Sequence, residues 1–169
     1  MKRTANYLIF LFVFTAVSAA EAQTAELARV KAIFILNFIK YCDHQAANNA
    51  EEFVVGVYGD EKLAQELTKI CSNSYRGKRV VVQQLTDLNT PVHLLFVPEQ
   101  KHFNYLAHVR KNGMIANTLI VSDKNSEATM IGFEIHNDRF FFRLNEALLA
   151  KNGIKFSESI RAIAINNRS

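Results

Sequence analysis

The chain has 169 residues, 49% of them hydrophobic and 21% charged, with no Trp and only two Pro, which excludes a disordered tail, a collagen-like repeat and a low-complexity linker. A chain of this length forms one domain that buries roughly two-thirds of its unfolded surface without a disulfide framework. The net charge of +4 is spread along the chain with no run of five like charges, so nothing marks a nucleic-acid partner.

The predicted elements begin with an export signal. Lys2 and Arg3 precede an uncharged apolar run from Thr4 to Ala20, and Ala20-Glu21-Ala22 offers small residues around a cleavage point after Ala22. The apolar core is too short for the ~20 residues a membrane span needs. The expected division is a signal peptide over 1–22 and a domain over 23–169 that begins at Gln23 and, without Lys2, Arg3 and Glu21, carries +3. Export places the chain outside the cytoplasm, where disulfides persist and ATP and NAD are not supplied.

Periodic Leu27, Val30, Phe34, Phe38 and Tyr41 predict a helix over Ala25–Cys42 with Thr24 as its cap. A strand follows at Phe53–Tyr58, and Gly59-Asp60 turns it into a helix over Glu61–Cys71. Strands at Arg79–Gln83 and Val92–Val97, a helix over Lys101–Arg110 and a strand at Thr118–Val121 continue the alternation. The last third predicts a hairpin, Ile131–His136 and Arg139–Leu144 around Asn137-Asp138, with Ile135 opposite Phe140, Phe133 opposite Phe142 and Ile131 opposite Leu144. A short helix over Asn145–Ala150 and a last one from Ser157 to about Ile165 complete the chain. The pattern is a single-domain α/β sandwich, with a mixed, largely parallel sheet flanked by helices and a C-terminal β-hairpin.

Chemistry-bearing motifs are sparse. Gly59-Asp60 lies where phosphate loops lie in nucleotide-binding folds, but neither the three-glycine fingerprint nor Gly-Lys-Ser/Thr is present. Asp60 therefore reads as a helix cap, with weak binding of a small anion or ligand at Gly59 and Asp60 as the alternative. No two of the five His converge at metal-ligand spacing; His102 and His108 diverge on one helix, and His93 reads as a core or edge histidine. No metal and no cofactor is expected. There is no G-x-S-x-G elbow, and neither Cys has a setting that lowers its pKa. Cys42 and Cys71 both close helices, whose ends share one edge of the sheet if the two helices run the same way. The sequence leaves open whether they pair, with a chain-entropy gain of about 3.5 kcal/mol, or stay as two buried thiols.

Two apolar features fit an interface. Between Ala32 and Ile39 only Asn37 is polar, so the helix carrying Phe34 and Phe38 is apolar on more than one side; burial between layers and a dimer or partner surface both account for this. On the hairpin's outer face Phe141 is ringed by Glu134, His136, Arg139 and Arg143, the pattern of an aromatic anchor with a polar rim. A helix covering that face is the alternative.

Four segments in order carry a resemblance. Lys31-Ala32-Ile33-Phe34-Ile35-Leu36-Asn37-Phe38-Ile39-Lys40-Tyr41 resembles the helix that opens the mature YfiR family. Val57-Tyr58-Gly59-Asp60 resembles its first strand and turn, and Arg76-Gly77-Lys78-Arg79-Val80-Val81-Val82 the approach to its second strand. Met130-Ile131-Gly132-Phe133, Arg143-Leu144-Asn145 and Ala150-Lys151-Asn152-Gly153-Ile154 resemble its end. The family often has Trp-Pro after the first helix, where this chain reads Cys42-Asp43-His44. The resemblance implies a non-enzymatic periplasmic regulator that restrains an inner-membrane diguanylate cyclase, lowering cyclic di-GMP and biofilm output. The periplasmic domain of a sensor kinase is the other partner it implies. A small-ligand sensor at Gly59-Asp60 and a secreted enzyme with an unrecognised site are the competing readings.

Overall fold

The computed structural model describes residues 4–71, 75–137 and 139–164, with side chains from Gln23 onward. Lys2, Arg3, Asp138 and Ile165, which figure in the expectations above, lie outside the described residues.

Helix α1 (Thr4–Tyr41) leads into β1 (Cys42–His44), α2 (Gln45–Asn48), β2 (Glu52–Tyr58), α3 (Glu61–Ile70), β3 (Arg79–Leu85) and β4 (Leu94–Val97). Then come α4 (Glu99–Asn112), β5 (Leu119–Ser122), β6 (Ile131–His136), β7 (Arg139–Leu144), α5 (Glu146–Lys151), β8 (Ile154–Phe156) and α6 (Glu158–Ile163). Six strands form one sheet in the order β3-β2-β4-β5-β6-β7, parallel throughout except for the β6–β7 hairpin, while β1 and β8 form a separate antiparallel ribbon. The fold is thus α/β with a mixed, largely parallel sheet.

The crossovers place the helices. From β2 through α3 the chain steps one way along the sheet to β3, and from β4 through α4 it steps the other way to β5. Right-handed connections then put α3 and α4 on opposite faces. Helix α1 packs beside α3. Both run from the carboxyl edge of the sheet, where Lys62 donates to the Thr24 hydroxyl at 2.8 Å, toward its amino edge.

Hairpin pairing is as the side-chain pattern predicts, with Ile135 against Phe140, Phe133 against Phe142 and Ile131 against Leu144. Its inner face meets α1 through a cluster of rings: Phe34 lies 5.0 Å from Phe140, and Phe38 lies 4.9 Å from Phe142 and 6.0 Å from Phe133. Such pairs add about 0.5–1.5 kcal/mol each beyond the area they bury.

Several boundaries differ from expectation. Thr24 does not cap a helix, because α1 runs unbroken through it: Ala19-Ala20-Glu21-Ala22 has high helix propensity and no breaker precedes it. Cys42 opens β1 rather than closing α1. Ser157 occupies the N-cap of α6, yet its hydroxyl pairs with that of Ser159 (2.8 Å), and its N–H donates to the Tyr41 carbonyl (3.1 Å). The ribbon β1–β8 and helix α2 have no counterpart in the periodicity, since three- and four-residue elements complete no period.

Candidate functional site

Strand order reverses between β2 and β4, with α3 leaving one and α4 the other, so the carboxyl edge there is the crevice where open α/β sheets hold ligands. Gly59 follows β2 at φ +77°, and the Lys101 side chain crosses it so closely that a Cβ would lie 2.9 Å from two of its carbons. Only glycine fits that turn. Asp60 N-caps α3, its carboxylate accepting the Leu63 N–H at 3.0 Å. The cap expected from sequence is formed.

The main electrostatic feature of the crevice comes from two residues that the motif search passed over. Lys31 of α1 reaches across the sheet edge to Asp123, just beyond β5, at 2.7 Å, with side-chain exposures of only 9% and 19%. The ammonium also sits 5.4 Å from the centroid of the Phe96 ring, within cation–π range. Burial raises the Asp123 pKa above the ordinary carboxylate value, and the charge and hydrogen bond of Lys31 pull it back down in part. Two clefts share this pair as a wall. One of about 450 Å³ lies toward the hairpin over Leu27, Phe133 and Ile135, and one of about 370 Å³ lies toward Gly59, Asp60 and Lys62. Signals for the pair existed: Lys31 is a charge in an apolar helix, and Asp123 directly follows an apolar strand.

The four residues expected at a partner surface do not share one. Phe38 is fully buried and Phe34 half-buried, both against the hairpin's inner face; the partner-surface expectation for Phe38 is therefore corrected to core packing. Phe141 and Arg143 project from the opposite face of β7, because alternate residues of a strand point to opposite sides. Arg143 donates to the Glu134 carboxylate, which also takes Asn125 and, at 2.9 Å, His136. The Arg143 hydrogen bond holds the Glu134 carboxyl below its ordinary value. Phe141 is half-buried, its ring 6.1 Å from that of His136, which is neither the exposure of a free anchor nor the burial of a core residue.

Both cysteines are free thiols. The Cys42 thiol donates to the Ile39 carbonyl at 3.5 Å, and burial pushes its pKa up to about 12; burial pushes that of Cys71 up to about 11. Neither is a ready nucleophile, since the thiolate is the reactive form. His102 Nδ1 lies 3.1 Å from the Ser122 hydroxyl, superficially a Ser–His pair. Ser122 is fully buried, however, and its oxygen accepts the Lys124 N–H at 3.1 Å, so the hydroxyl is closed to a substrate. Of the other histidines, His108 meets the Asn112 amide and His93 accepts the Val54 N–H.

Among the described residues, no helix is long and apolar enough to cross a membrane. A search of curated proteins returns no match. A protein-family model described as YfiR/HmsC-like matches residues 28–164, from the α1 turn that carries Lys31 to the end of α6. That family is regulatory rather than catalytic. The ring-lined α1–hairpin core, the Gly59-Asp60 turn and the final α5–β8–α6 segment all fall within one continuous match, and the chain belongs to the YfiR/HmsC-like family.

Proposed function

We propose that this chain is exported to the periplasm, with a signal peptide removed after Ala22, and that there it binds the periplasmic part of an inner-membrane diguanylate cyclase and restrains it, lowering cyclic di-GMP. The observation that carries this reading is family membership across nearly the whole fold, residues 28–164. The apolar, positively flanked start of the chain supports export. The reading is of a binding protein without catalysis of its own. Its test is deletion with complementation: cyclic di-GMP should rise on deletion and fall when the chain is restored, and the tagged chain should co-purify with a membrane cyclase. Unchanged cyclic di-GMP in the deletion strain, with no cyclase recovered, refutes it. Recovery of a sensor kinase instead of a cyclase shifts the partner while keeping the regulatory role.

A second reading has its own observation. The two clefts sharing the Lys31–Asp123 pair lie at the sheet's switch point, which supports a small-ligand sensor whose ligand sets the affinity for the membrane partner. Melting the protein against panels of small anions, nucleotides and zwitterions tests it. Stabilisation that disappears in Lys31→Met supports the sensor, and absence of any shift across the panels ends it.

A further inference from the structure

At the amino edge of the sheet, opposite the crevice, two histidines lie ring to ring with centroids 5.9 Å apart. His44 is fully buried and N-caps α2: its Nδ1 accepts the Ala47 N–H at 3.2 Å, and its Nε2 stands 3.1 Å from the His93 carbonyl oxygen. A carbonyl only accepts, so the His44 proton is on Nε2. His93 Nδ1 accepts the Val54 N–H at 2.9 Å, which places its proton on Nε2 as well. Both Nδ1 atoms thus face backbone donors that cannot turn away.

Among the described residues, no carboxylate pairs with either ring. The Tyr75 hydroxyl bonds to the backbone of His44 and to the Asn48 side chain, and the Lys78 ammonium is bound to the carbonyls of Ala47, Asn48 and Ala50. The Phe53 ring flanks both imidazoles, at 6.0 and 5.4 Å, and the Asn117 backbone faces His44. Of the carboxylates on flanking segments, Asp43 is held by Arg76, Glu52 by Arg79, and Asp87 by the Asn89 N–H. A groove of about 330 Å³ past Ala46, Thr90 and Ile115 opens onto His93.

We propose that the His44–His93 pair is an acid-released latch, which holds residues 42–50 and the β1–β8 ribbon against the sheet and frees them when the rings take up protons from solvent. A proton at His44 Nδ1 sets donor against donor and breaks the α2 cap at Ala47, and one at His93 Nδ1 breaks the bond to Val54. With both rings charged, two cations face each other 5.9 Å apart across the joint between segment and sheet, opposing the single His44–His93 hydrogen bond that spans it. The freed segment then gives up its other bonds to the rest of the fold, those from Tyr75 and from Lys78. Burial first, then the neighbouring His93, lowers the pKa of His44; burial and then Lys78 lower that of His93. Proton uptake therefore favours the opened form. The latch is fully held above the ordinary histidine pKa of about 6.5, and below it the closed-to-open ratio falls by up to about tenfold per ring per pH unit. The inference does not depend on the identity of any partner.

Hydrogen exchange on the whole chain from pH 8 to 5, corrected for the intrinsic rate, tests it together with imidazole nitrogen shifts. Both rings should be neutral Nε2–H tautomers at pH 6.5, and protection at 42–50 and at Val54 should fall at least tenfold by pH 5 while α3 stays protected. In the His44→Asn, His93→Asn double variant the amide oxygens can take the place of Nδ1 without titrating, and protection there should not depend on pH. Flat protection of the segment in the wild type overturns the latch, as does an equal fall in the double variant or a ring that titrates at its ordinary pKa. If the variant does not fold, the wild-type shifts and segment exchange decide the matter alone.

Discussion

Replacing Lys31 with Met tests the electrostatics of the crevice. Met keeps the length and packing of the stem but leaves Asp123 as a buried carboxylate without its ammonium partner, 2.7 Å away in the wild type. Removing one member of a buried pair costs roughly 3–5 kcal/mol. Because Asp123 retains 19% side-chain exposure, water recovers part of that, and the expected loss is about 2–4 kcal/mol at pH 7.5. For a domain of this size that is a fall in Tm of roughly 6–12 °C. The sign of the pH dependence is the sharper test. The Asp123 pKa is already raised in the folded protein, and loss of Lys31 raises it further. Between the unfolded and folded pKa the native state holds the extra proton, so stability falls as pH rises through that window. The deficit of Lys31→Met relative to wild type, measured at each pH, should therefore shrink from pH 7.5 toward 5, and Asp123→Asn in the same background should restore most of it at neutral pH. A deficit below 0.5 kcal/mol, or one that does not change with pH, refutes the assignment of the pair as a buried ionic contact.

Four further outcomes follow from packing and burial. Phe38→Ala should destabilise the fold by about 3–5 kcal/mol in a denaturant melt, as a fully buried ring among Phe34, Phe133, Phe142 and Phe156. Phe141→Ala should cost only about 1–2 kcal/mol, in keeping with half-burial; intact repression in that variant removes Phe141 from the partner surface. Gly132→Ala drives a Cβ into the Asn125 side-chain amide, so it should displace that side chain from Glu134 at a cost of about 1–3 kcal/mol, and Asn125→Ala should relieve most of the loss. Thiol titration without reductant should find two reactive groups per chain after denaturation and almost none before it at pH 7; none in either state means that Cys42 and Cys71 are paired.

What the sequence reveals here depends on how many residues a signal spans. Strand pairing at the hairpin was legible in full, because six consecutive positions alternate apolar and polar and a one-residue slip would bury Arg139, Arg143 and Glu134 together. The Asp60 cap was legible because one carboxylate at a strand–helix turn serves a local donor three residues on. The burial of Phe38 was not decidable: an all-round apolar helix reads the same whether a sheet or a partner covers it, and only the seating of α1 on β6 and β7 settles the matter. Pairings across 92 residues, as between Lys31 and Asp123, or 49, as between His44 and His93, leave no periodic trace. They become visible only when topology brings the carboxyl end of β5 to α1, and β1 to the start of β4.

Helix α1 ties these two edges together, and acid acts on them in opposite directions. At the carboxyl edge, Asp123 has a raised pKa, so protonation relieves a buried charge and favours the native state as pH falls. At the amino edge, His44 and His93 have lowered pKa values, so the same fall in pH favours the opened form. His102, whose pKa burial also lowers, adds to the second trend from α4. A global melt therefore sums slopes of opposite sign, and a flat profile of Tm against pH is compatible with large changes at both ends of the sheet. Residue-level exchange separates them: acid should tighten the ends of β2 and β5 around the crevice while it loosens 42–50. A single proton concentration thus biases the two edges in opposite senses, independently of overall stability.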